Sequence, residues 1–524
     1  MDRALSLSPL VAAMSRPEFY SHHPDRVELV QTHISYVFFA GEHVYKIKKP
    51  VRFAFLDFSS IDSRRHFCHE EVRLNRRLAG DVYRGVCGIV PSGNGFALAP
   101  ADASGAVEYA VHMRRLPADR VLTQLIDRGE ATAELIDRIA ARVAAFHATA
   151  DAGPAVARGG DPARIAELMD ADFREVAALH GDTISAEDDA AIQAWCHGAL
   201  RTHDALLRQR QATGRIRDGH GDLHAAHVYS VDDDVVIIDC VEFNPAFRHR
   251  DVAADIAFLA MSLEYRERSD FATRFVSSYA TAAADPDAGT LVPFYACQRA
   301  YIRGKVDSLK AREPEIDAAD RAVARDSARR HFALALRYTW SDVRALVVVC
   351  GLSGTGKSTV AAALAARTGF AHINSDRVRK QLAGLRPTER GGAGLYTPAR
   401  NAATYAAMYG AAADALAHGG GAILDATFLR RRDRDAAREV AARAGVPILF
   451  VECRADEESV RRRLAERARR GDDASDADWA VYAMQRRTQE PFAADEPRVC
   501  ANAAGAGVSL IAPIERALRA LARG

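Results

Sequence analysis

The hydrophobic pattern in the first third of the chain predicts β-strands. Aromatic and β-branched residues lie on both sides of a glycine turn at Gly41, which predicts a hairpin with strands at 34–39 and 43–49. Alternation along the second strand places Val44, Lys46 and Lys48 on one face and Tyr45 and Ile47 on the other. This part of the chain is therefore expected to form an antiparallel sheet.

The last third of the chain has a different pattern. Short apolar runs at 345–350, 371–375, 422–428 and 448–453 alternate with stretches that favour helix. Strands that alternate with helices predict a parallel α/β sheet. Between the two parts the sequence is mostly helical, beginning with one long alanine-rich helix predicted at 122–147.

A helix predicted at 63–79 carries a carboxylate among apolar positions. Glu71 shares its face with apolar residues, and a carboxylate in such surroundings needs a partner. A lysine on the preceding strand, Lys46 or Lys48, would supply one, and Glu70 is the alternative carboxylate. A strand lysine paired with a helix glutamate positions the nucleotide in protein kinase folds.

A second polar centre lies at 220–227 and is followed by an apolar hairpin at 228–238. Asp222 precedes the hairpin, and Asp239 follows its second strand. Because a hairpin returns its end near its beginning, both carboxylates can face one site. Two neighbouring carboxylates suit one catalytic base and one Mg²⁺ ligand.

Residues 351–358 match the phosphate-binding pattern G-x-x-x-x-G-K-[ST] and lie between an apolar run and a helix-forming run. The backbone N–H groups of such a loop surround phosphate oxygens, and the helix N-terminus adds positive charge. Lys357 would reach the β- and γ-phosphates of ATP, and the Ser358 hydroxyl would ligate Mg²⁺. The predicted nucleotide-binding residues of this loop are Gly351, Ser353, Gly354, Thr355, Gly356, Lys357, Ser358 and Thr359.

Three further residues near the predicted strand ends carry suitable chemistry. Asp376 and Arg379 are one helical turn apart, so Asp376 could accept a proton from an attacking hydroxyl while Arg379 holds the acceptor or a phosphate. A simple helix N-cap is the alternative role for Asp376. Asp425 ends an apolar strand and is expected to be a second Mg²⁺ ligand.

A helix predicted at 457–471 is rich in arginine. We interpret it as a lid that closes on ATP and neutralises the charge of the transition state, with Arg467 and Arg470 in catalytic positions. A solvated helix face and a nucleic-acid patch are the alternatives. Aromatic residues are not interleaved with these arginines, which weakens the nucleic-acid interpretation.

Composition limits the possible classes of protein. A chain of 524 residues is too long for one core, and we place a domain boundary near Trp340, giving domains at 1–339 and 340–524. The net charge of +1 argues against a nucleic-acid partner. Eight dispersed cysteines without a C-x-x-C motif fit a reducing compartment. Since no uncharged apolar stretch reaches the length of a membrane span, we expect a cytoplasmic protein.

The first part of the chain resembles the aminoglycoside phosphotransferase family, a branch of the protein-kinase-like fold. The motifs that carry this resemblance are His220-Gly221-Asp222 and Ile238-Asp239. The resemblance implies that Asp222 is the catalytic base, that Asp239 binds Mg²⁺ and that Lys46 contacts the ATP phosphates with Glu71 as its partner.

The sequence departs from that family's pattern at two places. His227 stands where the family has an asparagine that binds a second metal ion, and imidazole is a poorer Mg²⁺ ligand than an amide oxygen. The glycine-rich loop over the phosphates is replaced by residues 31–35. These differences leave room for a different metal or for a degenerate kinase.

The last part of the chain is similar to P-loop kinases of the zeta-toxin, gluconate kinase and polynucleotide kinase group. The similarity rests on the P-loop, on Ser375-Asp376-x-x-Arg379, on Asp425-Ala426-Thr427 and on the arginine-rich helix. It implies transfer of the ATP γ-phosphate to a hydroxyl, with Asp376 as the base.

These observations predict an α+β protein-kinase-like bilobal domain followed by an α/β P-loop domain with a parallel sheet. The expected function is an ATP- and Mg²⁺-dependent phosphotransferase that has two nucleotide sites and acts on a small molecule with a hydroxyl group. Two alternatives remain open: a nucleotide-dependent regulatory switch with a degenerate N-terminal kinase, and a kinase for nucleic-acid 5′-hydroxyls.

Overall fold

The computed structural model describes residues 7–53, 55–314, 316–386, 389, 392–470, 477–502 and 508–523. The chain forms two compact units, Met1–Phe332 and Ala333–Gly524. The boundary that we expected near Trp340 falls a few residues after this division.

The first unit contains a six-stranded antiparallel sheet in the order β1-β2-β3-β8-β6-β7, and β4 and β5 form a separate small hairpin. The predicted hairpin is present as β2 and β3, with Gly41 at a positive φ of 61° in the turn. The first eight strands are β1 (Val27–Gln31), β2 (Ser35–Ala40), β3 (His43–Lys48), β4 (Arg52–Phe53), β5 (Leu56–Asp57), β6 (Tyr83–Ser92), β7 (Gly95–Pro100) and β8 (Glu108–Arg114).

Helices pack on both faces of this sheet. Tyr45 and Ile47 of β3 belong to a hydrophobic cluster with α1 (Leu7–Met14), whereas Val44 packs in a second cluster with α2 (Ile61–Ala79). The alternation predicted for β3 is therefore confirmed, and Lys46 and Lys48 face α2. That helix begins after Ser60, whose hydroxyl accepts the Ser63 N–H as an N-cap.

The rest of the first unit is mainly helical. Its helices are α3 (Leu122–Asp127), α4 (Ala133–Thr149), α5 (Pro154–Ala157), α6 (Pro162–Val176), α7 (Ala186–Thr202), α8 (Asp204–Ala212), α9 (Pro245–Arg248), α10 (Val252–Tyr265), α11 (Ser269–Ala282) and α12 (Ala288–Lys310), and α13 (Ala318–Tyr338) runs into the second unit. The single helix predicted at 122–147 is wrong, because Gly129 adopts a left-handed φ of 69° and separates α3 from α4. Helix α10 is buried along almost its whole length and packs against α11 and α12.

Four short strands complete the first unit: β9 (Ile216–Asp218), β10 (Val228–Val231), β11 (Asp234–Ile237) and β12 (His249–Asp251). The predicted hairpin is formed by β10 and β11. Its turn consists of Asp232 and Asp233, both with positive φ, and Asp234 begins the second strand.

The second unit contains a five-stranded sheet in the order β14-β15-β13-β16-β17, and all its neighbouring strands are parallel. The predicted parallel sheet is therefore confirmed, although β17 was not predicted. The strands are β13 (Leu346–Cys350), β14 (Ala371–Asn374), β15 (Ala422–Asp425), β16 (Ile448–Arg454) and β17 (Arg498–Asn502).

Helices cover both faces of the parallel sheet. Alternate residues of β13 enter two hydrophobic clusters: Val347 packs with α14 and α20, and Val348 packs with α16 and α17. The helices are α14 (Lys357–Thr368), α15 (Ser375–Leu382), α16 (Pro398–Ala417), α17 (Arg431–Ala444), α18 (Glu457–Arg470), α19 (Trp479–Thr488) and α20 (Val508–Arg523).

The predicted fold class is thus confirmed as an α+β kinase-like unit followed by an α/β P-loop unit. None of the helices in the described ranges combines the length and the apolar character that crossing a membrane requires.

Candidate active sites

Two neighbouring lysines of β3 share one glutamate of α2. Lys46 Nζ lies 2.9 Å from Glu71 Oε1, and Lys48 Nζ lies 2.7 Å from Glu71 Oε2. Burial raises the pKa of Glu71, but the two lysines outweigh this effect and hold that pKa below its ordinary value. The predicted pair of Lys46 and Glu71 is present, whereas the alternative Glu70 binds Arg73 at 2.7 Å.

The two lysines have different surroundings. The Lys46 side chain keeps 12% of its surface exposed and its Nζ lies 2.7 Å from Asp239 Oδ1. The Lys48 side chain is fully buried and also contacts Glu242. Lys46 can therefore reach a ligand, and Lys48 holds two buried carboxylates together. The sequence offered no signal for Glu242, which lies far from Lys48 along the chain.

The motif His220-Gly221-Asp222, the candidate catalytic loop, is anchored by a buried aspartate of α10. Asp255 Oδ2 accepts the His220 N–H at 2.6 Å, and Oδ1 accepts the Gly221 N–H at 2.9 Å. Burial raises the pKa of Asp255, but the hydrogen bond and charge of His147 leave it well below its usual range. Gly221 has φ of 82°, and a Cβ there would lie 2.9 Å from the Phe247 carbonyl oxygen, so glycine is required. Sequence reasoning missed Asp255.

The structure brings Asp222 and Asp239 to one site, as the hairpin argument predicted, and His227 lies between them. His227 Nδ1 is 3.6 Å from Asp222 Oδ2, and His227 Nε2 is 3.6 Å from Asp239 Oδ2. Burial raises the pKa of Asp222, but His224, His227 and Arg303 together depress it far below its ordinary value. Asp239 behaves similarly, because Lys46 and His227 outweigh its burial. Both carboxyl groups are therefore ionised.

Hydrogen bonds fix which histidine nitrogen can bind a metal. Asp222, His224 and His227 are close enough to hold an ion. His227 Nδ1 lies 3.0 Å from the Asp222 carbonyl oxygen, which can only accept, so Nδ1 donates to it, and Nε2, 3.6 Å from Asp239 Oδ2, is the nitrogen that is left to bind a metal. His224 Nδ1 instead accepts the Ala226 N–H at 3.3 Å, so the His224 Nε2 carries its proton.

This assignment excludes His224 as a ligand in its present tautomer. Burial and the neighbouring His227 lower the pKa of His224 to about 4, so its ring is neutral at neutral pH. The remaining donors are one imidazole nitrogen, from His227, and the carboxylates of Asp222 and Asp239. A nitrogen and oxygen donor set suits Mn²⁺ and its transition-metal neighbours better than Mg²⁺.

The second site is the P-loop between β13 and α14. Gly351, Gly354 and Gly356 all have positive φ, and a Cβ on Gly351 would lie 2.4 Å from the Cys453 carbonyl oxygen. A hydrogen bond within the loop joins Lys357 Nζ to the Leu352 carbonyl oxygen, at 2.9 Å. Burial lowers the pKa of Lys357, an effect that Asp425 opposes.

Polar side chains gather beside the P-loop at the ends of β14 and β15. Asp425 Oδ2 accepts Asn374 Nδ2 at 2.7 Å and lies 3.1 Å from His372 Nε2. Asn374 Nδ2 also lies 3.3 Å from Ser358 Oγ. The predicted ligands Ser358 and Asp425 are therefore held together at one sheet edge, and their oxygens fit Mg²⁺. Sequence reasoning did not identify His372 or Asn374.

Asp376 is not the N-cap of α15. The cap is Asn374, whose side-chain oxygen accepts the backbone N–H groups of Asp376 at 3.1 Å and Arg377 at 3.0 Å. The N-cap alternative for Asp376 is therefore wrong. Its carboxylate instead contacts the Arg379 guanidinium, which is 8% exposed and lies 4.7 Å from the centre of the Tyr396 ring.

The arginine-rich helix α18 rests on the P-loop. A Cβ on Gly354 would lie 3.0 Å from Val460 Cγ1 and 3.2 Å from Leu464 Cγ. Arg463 Nη1 approaches the Gly354 carbonyl oxygen at 3.5 Å, and the charge of Arg467 contributes to the lowered pKa of Lys357. These side chains face the P-loop, whereas Arg461, Arg462 and Arg469 are exposed. The side chain of Arg470 lies outside the described part of the chain.

These features define a protein with a kinase-like unit followed by a P-loop unit. The model of a protein family described as "AAA domain" matches residues 346–492. The "Uncharacterized protein Rv2004c" of Mycobacterium tuberculosis is 31% identical over 454 residues, which are 86% of this chain and 88% of that protein. The "Uncharacterized protein Mb2027c" of Mycobacterium bovis gives the same values. The chain belongs to the same family as these mycobacterial proteins.

Three solved structures illustrate the likeness of the two units to known proteins. A gluconokinase from Sinorhizobium meliloti 1021 is 22% identical, with 35% of this chain and 95% of that chain covered and a TM-score of 0.26. The GDP complex of aminoglycoside 2′-phosphotransferase-IIIa is 15% identical, with coverages of 62% and 98% and a TM-score of 0.37. A choline kinase from Cryptosporidium parvum is 10% identical, with coverages of 63% and 93% and a TM-score of 0.37.

Proposed function

We propose that this protein is an ATP-dependent phosphotransferase that moves the γ-phosphate to a hydroxyl of a small molecule, with one nucleotide site in each unit. The observation that carries the proposal is the convergence of Lys46, Asp222, His227 and Asp239 in the first unit, with both carboxylates ionised. A base, a phosphate-binding cation and metal donors are the parts that phosphoryl transfer requires.

In the first unit, Asp222 orients the acceptor hydroxyl and receives its proton. The acceptor oxygen forms a bond to the γ-phosphorus, the bond from that phosphorus to the bridging oxygen breaks, and ADP leaves. A weakly basic carboxylate suits this reaction, because the transition state is loose and needs positioning more than proton abstraction. Lys46 binds the nucleotide phosphates. His227 Nε2 and Asp239 would hold the metal ion, which neutralises phosphate charge when bound.

In the second unit, the P-loop amides and Lys357 bind the phosphates, and Ser358 and Asp425 would hold Mg²⁺. Asp376 is the proposed base, and Arg379 keeps it in place until an acceptor arrives. The buried face of α18 covers the loop, so its inward arginines stabilise the charge that develops during transfer. A hydroxyl-bearing small molecule is the proposed partner of this unit as well.

Turnover of ATP tests this function. We would measure ADP release with Mg²⁺ or Mn²⁺ and a panel of sugars, nucleosides, aminoglycosides and an oligonucleotide with a 5′-hydroxyl, in wild type, Asp222→Asn and Lys357→Ala. We expect each substitution to remove one part of the turnover and the double variant to remove all of it.

The same experiment separates the alternatives. Turnover that is insensitive to Asp222→Asn with every acceptor would contradict a catalytic first unit and favour the regulatory switch. Stimulation by the oligonucleotide alone, lost in Lys357→Ala, would favour the nucleic-acid kinase. That activity would also fall with rising salt, because protein contacts to a phosphate backbone release counterions.

The metal donors make a separate prediction. In a Lys357→Ala background, we expect His227→Asn to lower the ratio of Mn²⁺-supported to Mg²⁺-supported turnover by about tenfold or more, because an amide oxygen replaces an imidazole nitrogen. The matched control is His224→Asn, which removes a neighbouring imidazole whose Nε2 carries a proton. An equal change in that control would contradict the assignment of His227 as the ligand.

A further inference from the structure

Two arginines near the catalytic loop each have a buried nitrogen that makes no hydrogen bond. Arg299 of α12 is 8% exposed and its Nη2 makes no hydrogen bond, and the same holds for the buried Nε of Arg250 on β12. Within the described ranges, neither guanidinium forms an ion pair. Other buried arginines of this protein are paired, Arg210 with two aspartates and Arg434 with a glutamate.

An unpaired buried charge destabilises a fold, and two of them side by side do so more. Burial and the positive charge of Arg299 lower the pKa of Arg250 to about 10. Arg250 is only partly buried and lines a small cleft with Asp172, Gln298 and Tyr301. The pair is therefore arranged as a site for an anion that comes from outside the chain.

This pair is connected to the proposed catalytic base through the rings of Phe258 and His224. The Arg299 guanidinium lies 4.9 Å from the centre of the Phe258 ring, and that ring is 5.4 Å from the ring of His224. His224 Nε2 is in turn 3.6 Å from Asp222 Oδ2. One helical turn after Arg299, Arg303 helps to lower the pKa of Asp222. An anion held here would be close to the hydroxyl that Asp222 orients.

The carboxylates near the pair already have other partners. Asp172 Oδ1 lies 2.6 Å from Lys305 Nζ, and Asp255 accepts the backbone N–H groups of the catalytic loop. Arg303 itself is 3.5 Å from Asp307. Asp255 and Asp222 act on Arg299 only beyond ion-pair distance, so within the described ranges the two guanidiniums remain open to a phosphate group, whose oxygens they match.

We propose that Arg250 and Arg299, with Arg303 beside them, bind a phosphate group of the acceptor, so that the first unit phosphorylates a hydroxyl compound that already carries a phosphate. This inference rests on the proposed role of Asp222 as the base. The planar guanidiniums donate to the phosphate oxygens while the acceptor's hydroxyl lies at Asp222.

The first test uses inorganic phosphate as the probe and does not depend on catalysis. Thermal unfolding of the full chain is followed in a Lys357→Ala background, with phosphate against chloride at equal ionic strength. We expect phosphate to raise the midpoint temperature of unfolding. We expect Arg299→Met to raise the midpoint without phosphate, because it removes an unpaired buried charge, and to weaken the phosphate response about tenfold or more.

The matched control is Lys310→Met, which removes an exposed positive charge from the end of the same helix. It should keep the full phosphate response. Absence of a phosphate response in the parent protein would overturn the inference. An increase of the unfolding midpoint with phosphate that persists in Arg299→Met would also overturn the inference. A lower midpoint of that variant without phosphate would overturn it too, because it would indicate that Arg299 is paired within the fold.

The second test measures ATP turnover with matched acceptors in the same Lys357→Ala background. We expect glycerol 3-phosphate and ribose 5-phosphate to stimulate turnover more than glycerol and ribose, and Arg299→Met to remove only that difference. Equal stimulation by the neutral compounds, or stimulation by glyceric acid alone, would overturn the proposed phosphate site. Acceptor-independent hydrolysis that is unchanged in Asp222→Asn would instead contradict the proposed function, while the phosphate-binding result stands by itself.

Discussion

Lys46 and Lys48 share the carboxylate of Glu71, yet their surroundings assign them different tasks. Lys46 is partly exposed and contacts Asp239, whereas Lys48 is enclosed between Glu71 and Glu242. Burial raises the pKa of Glu242, so it depends on Lys48 to remain charged. Both residues occupy the same strand face, and the sequence pattern alone could not separate a ligand-binding lysine from a structural one.

Substitution of each lysine by methionine should separate these tasks. We expect Lys48→Met to lower the free energy of unfolding by about 3–5 kcal/mol, because it leaves buried carboxylates without their partner. We expect Lys46→Met to have a smaller effect on stability and to lower kcat of the first unit by about 10²-fold or more. Urea unfolding and ADP release in a Lys357→Ala background measure the two quantities.

A double variant provides the control for stability. Adding Glu242→Gln to Lys48→Met removes one of the orphaned charges and should restore part of the lost free energy. The distinction between the lysines would be wrong if Lys46→Met proved the more destabilising substitution, or if Lys48→Met folded normally and lost only nucleotide-dependent turnover.

At the scale of an element, α18 presents different arginines to the P-loop and to solvent. Arg467 lies on the side near Lys357, whereas Arg469 is exposed on the same helix. We expect Arg467→Met to lower kcat of the second unit by about 10²–10³-fold with little change in stability, because a preorganised cation is lost where charge develops.

The control for this prediction is Arg469→Met, which removes the same charge two positions along the helix and should leave kcat unchanged. Turnover is measured in an Asp222→Asn background so that only the second unit contributes. Equal losses of kcat in Arg467→Met and Arg469→Met would indicate a general electrostatic effect of a basic helix. They would contradict a specific role of Arg467 at the P-loop.

Elements with a local signal could be predicted from the sequence, and contacts between distant segments could not. The P-loop was found because its glycines, lysine and flanking strand and helix lie together in the chain. The hairpin that brings Asp222 and Asp239 together was likewise a local pattern. Asp255 and Glu242 were not predicted, because they are separated along the chain from their partners, His220 and Lys48, by 35 and 194 residues.

The same reasoning explains the smaller errors. A helix was predicted through Gly129 because the apolar period continues on both sides, while the left-handed turn depends on a single glycine. The burial of Arg299 was not predicted from the sequence either. Its burial depends on how α12 packs against α10, which periodicity within one helix does not specify.

At the scale of the whole molecule, the proposal places a separate set of candidate phosphate-binding groups on each of two unrelated folds. The first unit uses a strand lysine, two carboxylates and a histidine, and the second uses a glycine loop, a lysine and a hydroxyl. No residue of one set belongs to the other, and each set lies within one compact unit. Nucleotide binding to each unit should therefore be removable by substitutions in that unit alone.

The stoichiometry of nucleotide binding tests this independence directly. We expect titration calorimetry with a non-hydrolysable ATP analogue and Mn²⁺ to give one nucleotide per unit in the wild type. Lys46→Met and Lys357→Ala should each remove one of the two binding events, because each deletes a cation that contacts the phosphates in one site only. Binding of a single nucleotide to the wild type, abolished by Lys357→Ala, would contradict a nucleotide site in the first unit, and the convergence of Lys46, Asp222 and Asp239 would then need a different ligand to explain it.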